Sequence, residues 1–192
     1  MPISKGKLIP GYYYHIYNRA VDGCRLFKEE RNYKFFLSKI KKYLISTSDI
    51  LVYCLMPNHY HILVKIKEEK FSESMHKLAL SYVVSINKSY QRKGHLFQGS
   101  FQRIHIKDLN YLFYLSQYIH LNPAKAKLVN KIGNWKHSSI REYIGEKPID
   151  FINPTIILDL ASESIASTRE EQQHAYHQSL IFWQKERLRN DS

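Results

Sequence analysis

Two apolar runs separated by only two residues constrain this chain most. Ile50–Met56 and His59–Ile66 are rich in strand formers, and Pro57 and Asn58 alone lie between them. Such runs around a turn-forming pair predict two strands in a tight hairpin. Upstream, Tyr12–Arg19 (YYYHIYNR) reads as a first strand. Glu29–Ile45 then repeats Tyr33, Phe36, Leu37, Ile40, Tyr43 and Leu44 at helical spacing. Downstream, Ser72–Tyr90 places Met75, Leu78, Ala79, Tyr82, Val83 and Ile86 on one helical face, with Ser72 as the expected N-cap. A glycine-punctuated loop, Arg92–Phe101, leads to a short strand at Arg103–Ile106.

A third helix is expected over Asp108–Leu121. Asp108 is its cap, and Pro123 marks its end because proline disfavours helical geometry in the residue before it. The order β-α-β-β-α-β followed by an extra helix defines an α+β, ferredoxin-like split-βαβ fold. Past Gly145, Pro148 and Pro154 the composition changes, and Ser167–Arg189 reads as a separate, mostly polar helix. Residues 1–150 are therefore expected to form the functional domain and 151–192 a helical tail. Leu180, Ile181 and Trp183 in that tail read as a packing face.

Charge divides the chain in the same place. The first 145 residues hold 24 Lys+Arg against 9 Asp+Glu, and the remainder 5 against 8. A basic excess confined to one region is the electrostatic footprint of a polyanion binder. The 15 tyrosines, against 9 phenylalanines, suit both a surface that stacks on bases and an ordinary amphipathic core. Met1–Gly11 has lysines but no apolar signal segment, and no stretch approaches the roughly 20 apolar residues of a membrane helix. With two cysteines, Cys24 and Cys54, no disulfide is implied and a cytoplasmic location is expected.

Within the hairpin, His59-Tyr60-His61 is the pattern that carries chemistry. Side chains alternate along a strand, so His59 and His61 share a face and Tyr60 points to the other. Two neutral imidazoles one strand repeat apart can hold one metal ion between them. By spacing alone they are equally two surface histidines. On the third helix, Tyr111, Tyr114 and Tyr118 are possible nucleophiles, and Asn122 lies one turn beyond Tyr118 on the same face. A phenol with an ordinary pKa of about 10 needs a polarised target to attack it. Periodicity does not choose among the three tyrosines.

Four segments together carry a family resemblance: MPNHYHILV (Met56–Val64), GHLFQGSF (Gly94–Phe101), YIHLNPAKAKLV (Tyr118–Val129) and WKHSS (Trp135–Ser139). In this order they resemble the HUH tyrosine transposases, and among them the REP-associated tyrosine transposases. The likeness runs from about Tyr12 to Tyr143. It implies that His59 and His61 are metal ligands for Mg²⁺ or Mn²⁺, that Tyr118 is the attacking tyrosine, and that Asn122 is a third ligand. It further implies cleavage of single-stranded DNA near hairpins or repeats, through a 5′-phosphotyrosine link with a free 3′-hydroxyl. Some relatives act as homodimers that exchange the tyrosine helix, and others as monomers.

Two positions depart from the family pattern. Ser100 stands where relatives often have arginine, so a phosphate contact is missing or supplied by Arg103. Lys127 replaces a frequent glycine, a change expected to add charge without disturbing the chemistry.

Basic residues flank the expected site: Arg92, Lys93, Arg103, Lys107, Lys125, Lys127 and Lys131. Such groups contact phosphates without reading sequence. Arg103 is the first candidate DNA contact, followed by Gln98, Lys107 and Lys125, with Arg19 and Asn18 a further pair. Phe97 and Phe101 read as core, and His15 and His120 as structural. Two other functions fit the sequence less well. One is a binding module of the same fold without catalysis, which has no use for the H-x-H pair. The other is a metallohydrolase using that pair with carboxylates, of which only Asp108 lies near.

Overall fold

The computed structural model describes residues 7–162 and 168–190, the side chains of 186–190 excepted. Residues 1–6 of the N-terminal stretch and Ser167, the expected start of the tail helix, lie outside the described residues. Two compact units are present: Met1–Ile50 with Leu55–Ile106, and Leu51–Cys54 with Lys107–Ser192.

The first unit follows the expected order. Strand β1 (Tyr13–Arg19) leads to helix α1 (Glu30–Leu44), then to β2 (Ser48–Met56) and β3 (His59–Ile66), joined by the two-residue turn at Pro57-Asn58. Helix α2 (Phe71–Ser89) and strand β4 (Gln102–Ile106) complete it. The strands lie in the order β2-β3-β1-β4, with β1 antiparallel to both β3 and β4. This is the split-βαβ arrangement: each helical crossover skips one strand position.

Alternation on β1 and β3 decides what the sheet buries. Ile16 faces Ile62 across the pair and Asn18 faces Tyr60, and cross-strand partners share a face. On that face Tyr60 meets Phe36 of α1 at 5.1 Å, and Phe36 meets Tyr82 of α2 at 4.9 Å. Ile16, Ile62, Phe36 and Tyr82 are fully buried. The Tyr82 hydroxyl donates to the Leu26 carbonyl at 2.7 Å, which satisfies its one polar atom. Burial of each such side chain contributes about 1.5–3 kcal/mol.

Helix α2 starts one residue earlier than expected. Lys70 occupies the N-cap position without a side-chain hydrogen bond, and Ser72 lies in the first turn. Phe71, fully buried, draws the chain into helical geometry before the serine can cap it.

Besides Leu51–Cys54 of β2, the second unit holds the helices α3 (Leu109–Lys125), α4 (Ile140–Tyr143), α5 (Thr155–Ala161) and α6 (Arg169–Asn190). Asp108 caps α3 as expected, accepting from the backbone N–H of Asn110 and of Tyr111 at 3.2 and 3.1 Å. Pro123 does not end the helix but lies inside it. A proline removes a single donor, and the turn that follows is still closed by Ala126 N–H to Asn122 and Leu128 N–H to Pro123, both at 2.9 Å. Pro123 is itself buried, so packing outweighs the local preference. The short helices α4 and α5 were not foreseen. In α6, Tyr176 and Leu180 are fully buried, and Trp183 meets Tyr114 of α3 edge-on at 4.9 Å. Among the described residues, no helix is long and apolar enough to cross a membrane.

The backbone at Lys127 favours glycine. Lys127 follows the C-cap Ala126 with φ of 55°, the left-handed conformation that ends many helices and suits a residue without a Cβ. Lys127→Gly should therefore stabilise the protein by about 1 kcal/mol, seen as a Tm raised by about 2–4 °C. An unchanged or lowered Tm in a calorimetric scan would contradict this reading of the turn.

Candidate functional site

The face of β1 and β3 opposite the helices collects the titratable groups. The register sets Arg19 against His59 and Tyr17 against His61. Together with His15, these side chains share one face, while Tyr14, Ile16, Asn18 and Tyr60 share the other.

The two histidine rings of β3 stand 5.0 Å apart, nearly perpendicular. Each has its Nδ1 engaged. His59 Nδ1 lies 2.7 Å from Asn58 Oδ1, and His61 Nδ1 lies 2.9 Å from His15 Nε2. His15 stacks on Tyr17, with ring centres 5.0 Å apart, and meets His61 edge to edge, with ring centres 5.1 Å apart. Burial lowers the pKa of His59, and lowers that of His61 well below the usual value, with the neighbouring His15 and His59 adding to the effect. Burial alone brings His15 to about 4. All three imidazoles are neutral near pH 7, which is the form that ligates metals.

The donor set fits a divalent cation in part. Two neutral imidazoles, each with one ring nitrogen held in a hydrogen bond, are what a metal pair of this kind needs. Among the described residues, no group of three or more His, Cys, Asp or Glu is arranged to hold a metal ion. The remaining positions of an ion here would fall to neutral oxygens, water or a bound phosphate.

The loop after α2 is tied to the end of β1. Gln98 N–H donates to the Arg19 carbonyl at 2.9 Å, and Arg19 Nε donates to the Gln98 side-chain oxygen. A polar, cationic pair is thereby set next to His59. Asn18 is buried on the opposite face, where its Nδ2 donates to the Gly99 carbonyl at 3.1 Å. Gly99 has φ of 78°, so glycine suits this bend. Arg103 pairs in register with Ile16 and therefore points to the helix-bearing face, away from the histidines. That same face carries a cleft of about 600 Å³ lined by Met75, Ala79, Leu80, Phe97 and Phe101, with Asn18 and Tyr60. Phe97 is buried and Phe101 half-buried, close to the expected core role.

In the second unit, Tyr118 and Asn122 share one stripe of α3. Asn122 Nδ2 donates to the Tyr118 carbonyl at 3.0 Å, and Lys125 Nζ lies 5.8 Å from the centre of the Tyr118 ring. Tyr111 and Tyr114 instead stack on each other at 6.1 Å. Lys107 precedes the Asp108 cap and is exposed. Beneath this stripe, buried His120 places Nδ1 2.8 Å from the Tyr176 hydroxyl of α6 and Nε2 2.8 Å from Ser139 Oγ. Ser139 N–H in turn donates to the Tyr53 carbonyl at 3.0 Å. The expected structural role of His120 is thus a bridge from α3 to α6 and to the WKHSS segment. Local sequence carries no signal for the contacts of His15 and Gln98, which are made with residues far along the chain, whereas Asn58 meets its chain neighbour His59.

The family model described as "Transposase IS200 like" matches residues 9–122. Among solved structures, a REP-associated tyrosine transposase bound to a REP hairpin superposes with a TM-score of 0.64 at 18% identity. That match covers 80% of this chain and 92% of the other, and at such identity it speaks for the fold. A tRNA(His) guanylyltransferase from Saccharomyces cerevisiae matches at 11% identity and a TM-score of 0.45, covering 92% of this chain and 81% of its own. A bacterial tRNA(His) guanylyltransferase-like protein in complex with ATP matches at 12% and 0.42, covering 63% and 62%. No curated protein matched the sequence significantly.

The buried histidines make stability depend on pH. Burial holds His15 at about 4 and His120 at about 3, whereas an unfolded histidine takes its proton near 6.5. Because the unfolded chain binds more protons below 6.5, their contribution is fully present above that pH and is lost as pH falls towards 4. At pH 5 each should remove about 2 kcal/mol. Urea unfolding without added metal should show a clearly lower midpoint at pH 5.0 than at pH 7.5; equal midpoints would contradict the burial of neutral imidazoles.

Proposed function

The chain belongs to the IS200-like transposases, of the HUH type, and on that premise we propose that it cuts and rejoins single-stranded DNA through Tyr118. The observation that carries this reading is the histidine pair. His59 and His61 share a sheet face, are neutral, and have Nδ1 of each ring already held. They would hold Mg²⁺ or Mn²⁺, with Asn122 as a further ligand through its side-chain carbonyl oxygen. When bound, such an ion polarises the scissile phosphodiester and stabilises the charge that develops on its oxygens.

Tyr118 supplies the nucleophile. Its hydroxyl oxygen bonds to phosphorus and the bond from phosphorus to the 3′-oxygen breaks, the proton given up by the phenol being matched by one taken up on the departing 3′-oxygen. The products are a 5′-phosphotyrosine and a free 3′-hydroxyl, which can attack the same link in reverse to rejoin strands. Lys125, close to the Tyr118 ring, brings positive charge to the phosphate. Arg19 and Gln98, beside His59, are the best-placed contacts for the DNA backbone. Lys107 and Arg103 would hold flanking phosphates, and Asn18 would act by shaping the loop at Gly99.

The DNA partner in this reading is a single strand with hairpin or repeat structure. The neighbour bound to a REP hairpin supports that class of partner, and the basic excess of residues 1–145 supports a polyanion. Residues 1–150 would form the functional domain and 151–192 its tail. Homodimers that share the tyrosine helix are one mode of action open to the chain.

Incubation with a panel of hairpin oligonucleotides and Mn²⁺ should yield a protein–DNA adduct that survives SDS. Tyr118→Phe should abolish it and Tyr114→Phe retain it, with chelation of the metal also abolishing it. An adduct that persists in Tyr118→Phe would contradict the assignment. A protein that binds the hairpins tightly but never forms an adduct would favour a binding module without catalysis.

A further inference from the structure

His15 reads from sequence as a core histidine, but its partner in the fold is not a backbone group. The β1–β3 register sets Tyr17 opposite His61 and His15 opposite Leu63, so His15 is the diagonal neighbour of His61 on the same face. It is 6% exposed, and its Nε2 lies 2.9 Å from His61 Nδ1, the two ring planes inclined by 26°.

One proton lies between these two nitrogens, and there are two ways to place it. If His15 donates from Nε2, His61 must carry its own proton on Nε2. If His61 donates from Nδ1, its lone pair is on Nε2 and His15 carries its proton on Nδ1. The neighbouring ligand candidate has the same choice made for it. His59 Nδ1 faces Asn58 Oδ1 at 2.7 Å, and a carbonyl oxygen can only accept, so His59 is protonated on Nδ1 with its lone pair on Nε2.

We infer that His15 is a positioning residue for the metal pair: its Nε2 accepts from His61 Nδ1–H and so commits the His61 lone pair to Nε2. The inference rests on the reading of His59 and His61 as metal ligands. His15 and Asn58 would then be equivalent devices on the two ligands, one supplied from the adjacent strand and one from the hairpin turn. An outer acceptor of this kind both fixes the tautomer and raises the basicity of the ligating nitrogen. Stacking against Tyr17 holds the His15 ring, and the His61 ring lies edge to edge with it at 26°, the near-coplanar orientation that the hydrogen bond requires.

Two variants separate positioning from packing. His15→Phe keeps an aromatic ring in the stack but has no acceptor, and His15→Gln offers an acceptor oxygen at about the reach of Nε2. Mn²⁺ affinity of the full-length, DNA-free protein is measured by the electron paramagnetic resonance signal of the free ion. Wild type should bind, His15→Phe should bind 10–100-fold more weakly, and His15→Gln should recover most of the loss. Nitrogen-15 spectra of the metal-free wild type should show His61 protonated on Nδ1, a readout that does not depend on any variant folding. Equal Mn²⁺ affinity in wild type and folded His15→Phe, or a His61 proton on Nε2, would overturn the inference and leave the metal reading standing. Absence of Mn²⁺ binding in wild type would overturn both.

Discussion

The pairing of β1 with β3 is the constraint on which the first unit depends. Seven residue pairs, from Tyr13–Lys65 to Arg19–His59, fix which side chains share a face. One face packs Tyr14, Ile16, Tyr60 and Ile62 into the helices. The other presents His15, Tyr17, Arg19, His59 and His61. A slip of one residue would exchange the two sets, driving imidazoles into the helix-packed core and exposing isoleucines. The same apolar burial that stabilises the sheet therefore also positions the site, and no separate scaffold is needed for the histidines.

In the second unit the corresponding constraint is polar. His120 uses both ring nitrogens, one on Tyr176 of α6 and one on Ser139, while Ser116 Oγ lies 3.0 Å from the same Tyr176 hydroxyl. These groups are buried, and each is satisfied by another in the network, so loss of one would leave the others unpaired in a low-dielectric interior. Helix α3 is in this way held from two sides, by the tail helix and by the WKHSS segment. The tail, polar along most of its sequence, has in Tyr176 and Leu180 a structural reason to be there.

Much of this architecture was legible because local pattern and tertiary demand agree in it. Strand alternation in β1 and β3, the helical spacing of Phe36, Ile40 and Tyr82, and the Asp108 cap all act over a few residues. The sheet order followed from the order of elements. Disagreement arose where distant packing decided the outcome. Buried Phe71 displaced Ser72 as the start of α2, and buried Pro123 continued a helix it was expected to end. Arg103, the first DNA contact expected from sequence, sits near the site along the chain. Only the register with Ile16 reveals that it faces the other way, and that Arg19 stands beside His59. The hydrogen bond between His15 and His61 joins residues 46 positions apart, so it has no local signature. Tyr118 was separable from Tyr111 and Tyr114 by resemblance alone; the structure adds that the other two stack together.

In the proposed function, His59 and His61 would jointly hold a divalent cation through their Nε2 atoms. A crystal of the protein grown with Mn²⁺, measured for anomalous scattering at the manganese edge, addresses it directly. One strong peak is expected within bonding distance of both Nε2 atoms, with both Nδ1 atoms still in their hydrogen bonds to Asn58 and His15. A peak bound through Nδ1, or well-ordered manganese elsewhere with none between these two rings, would contradict it.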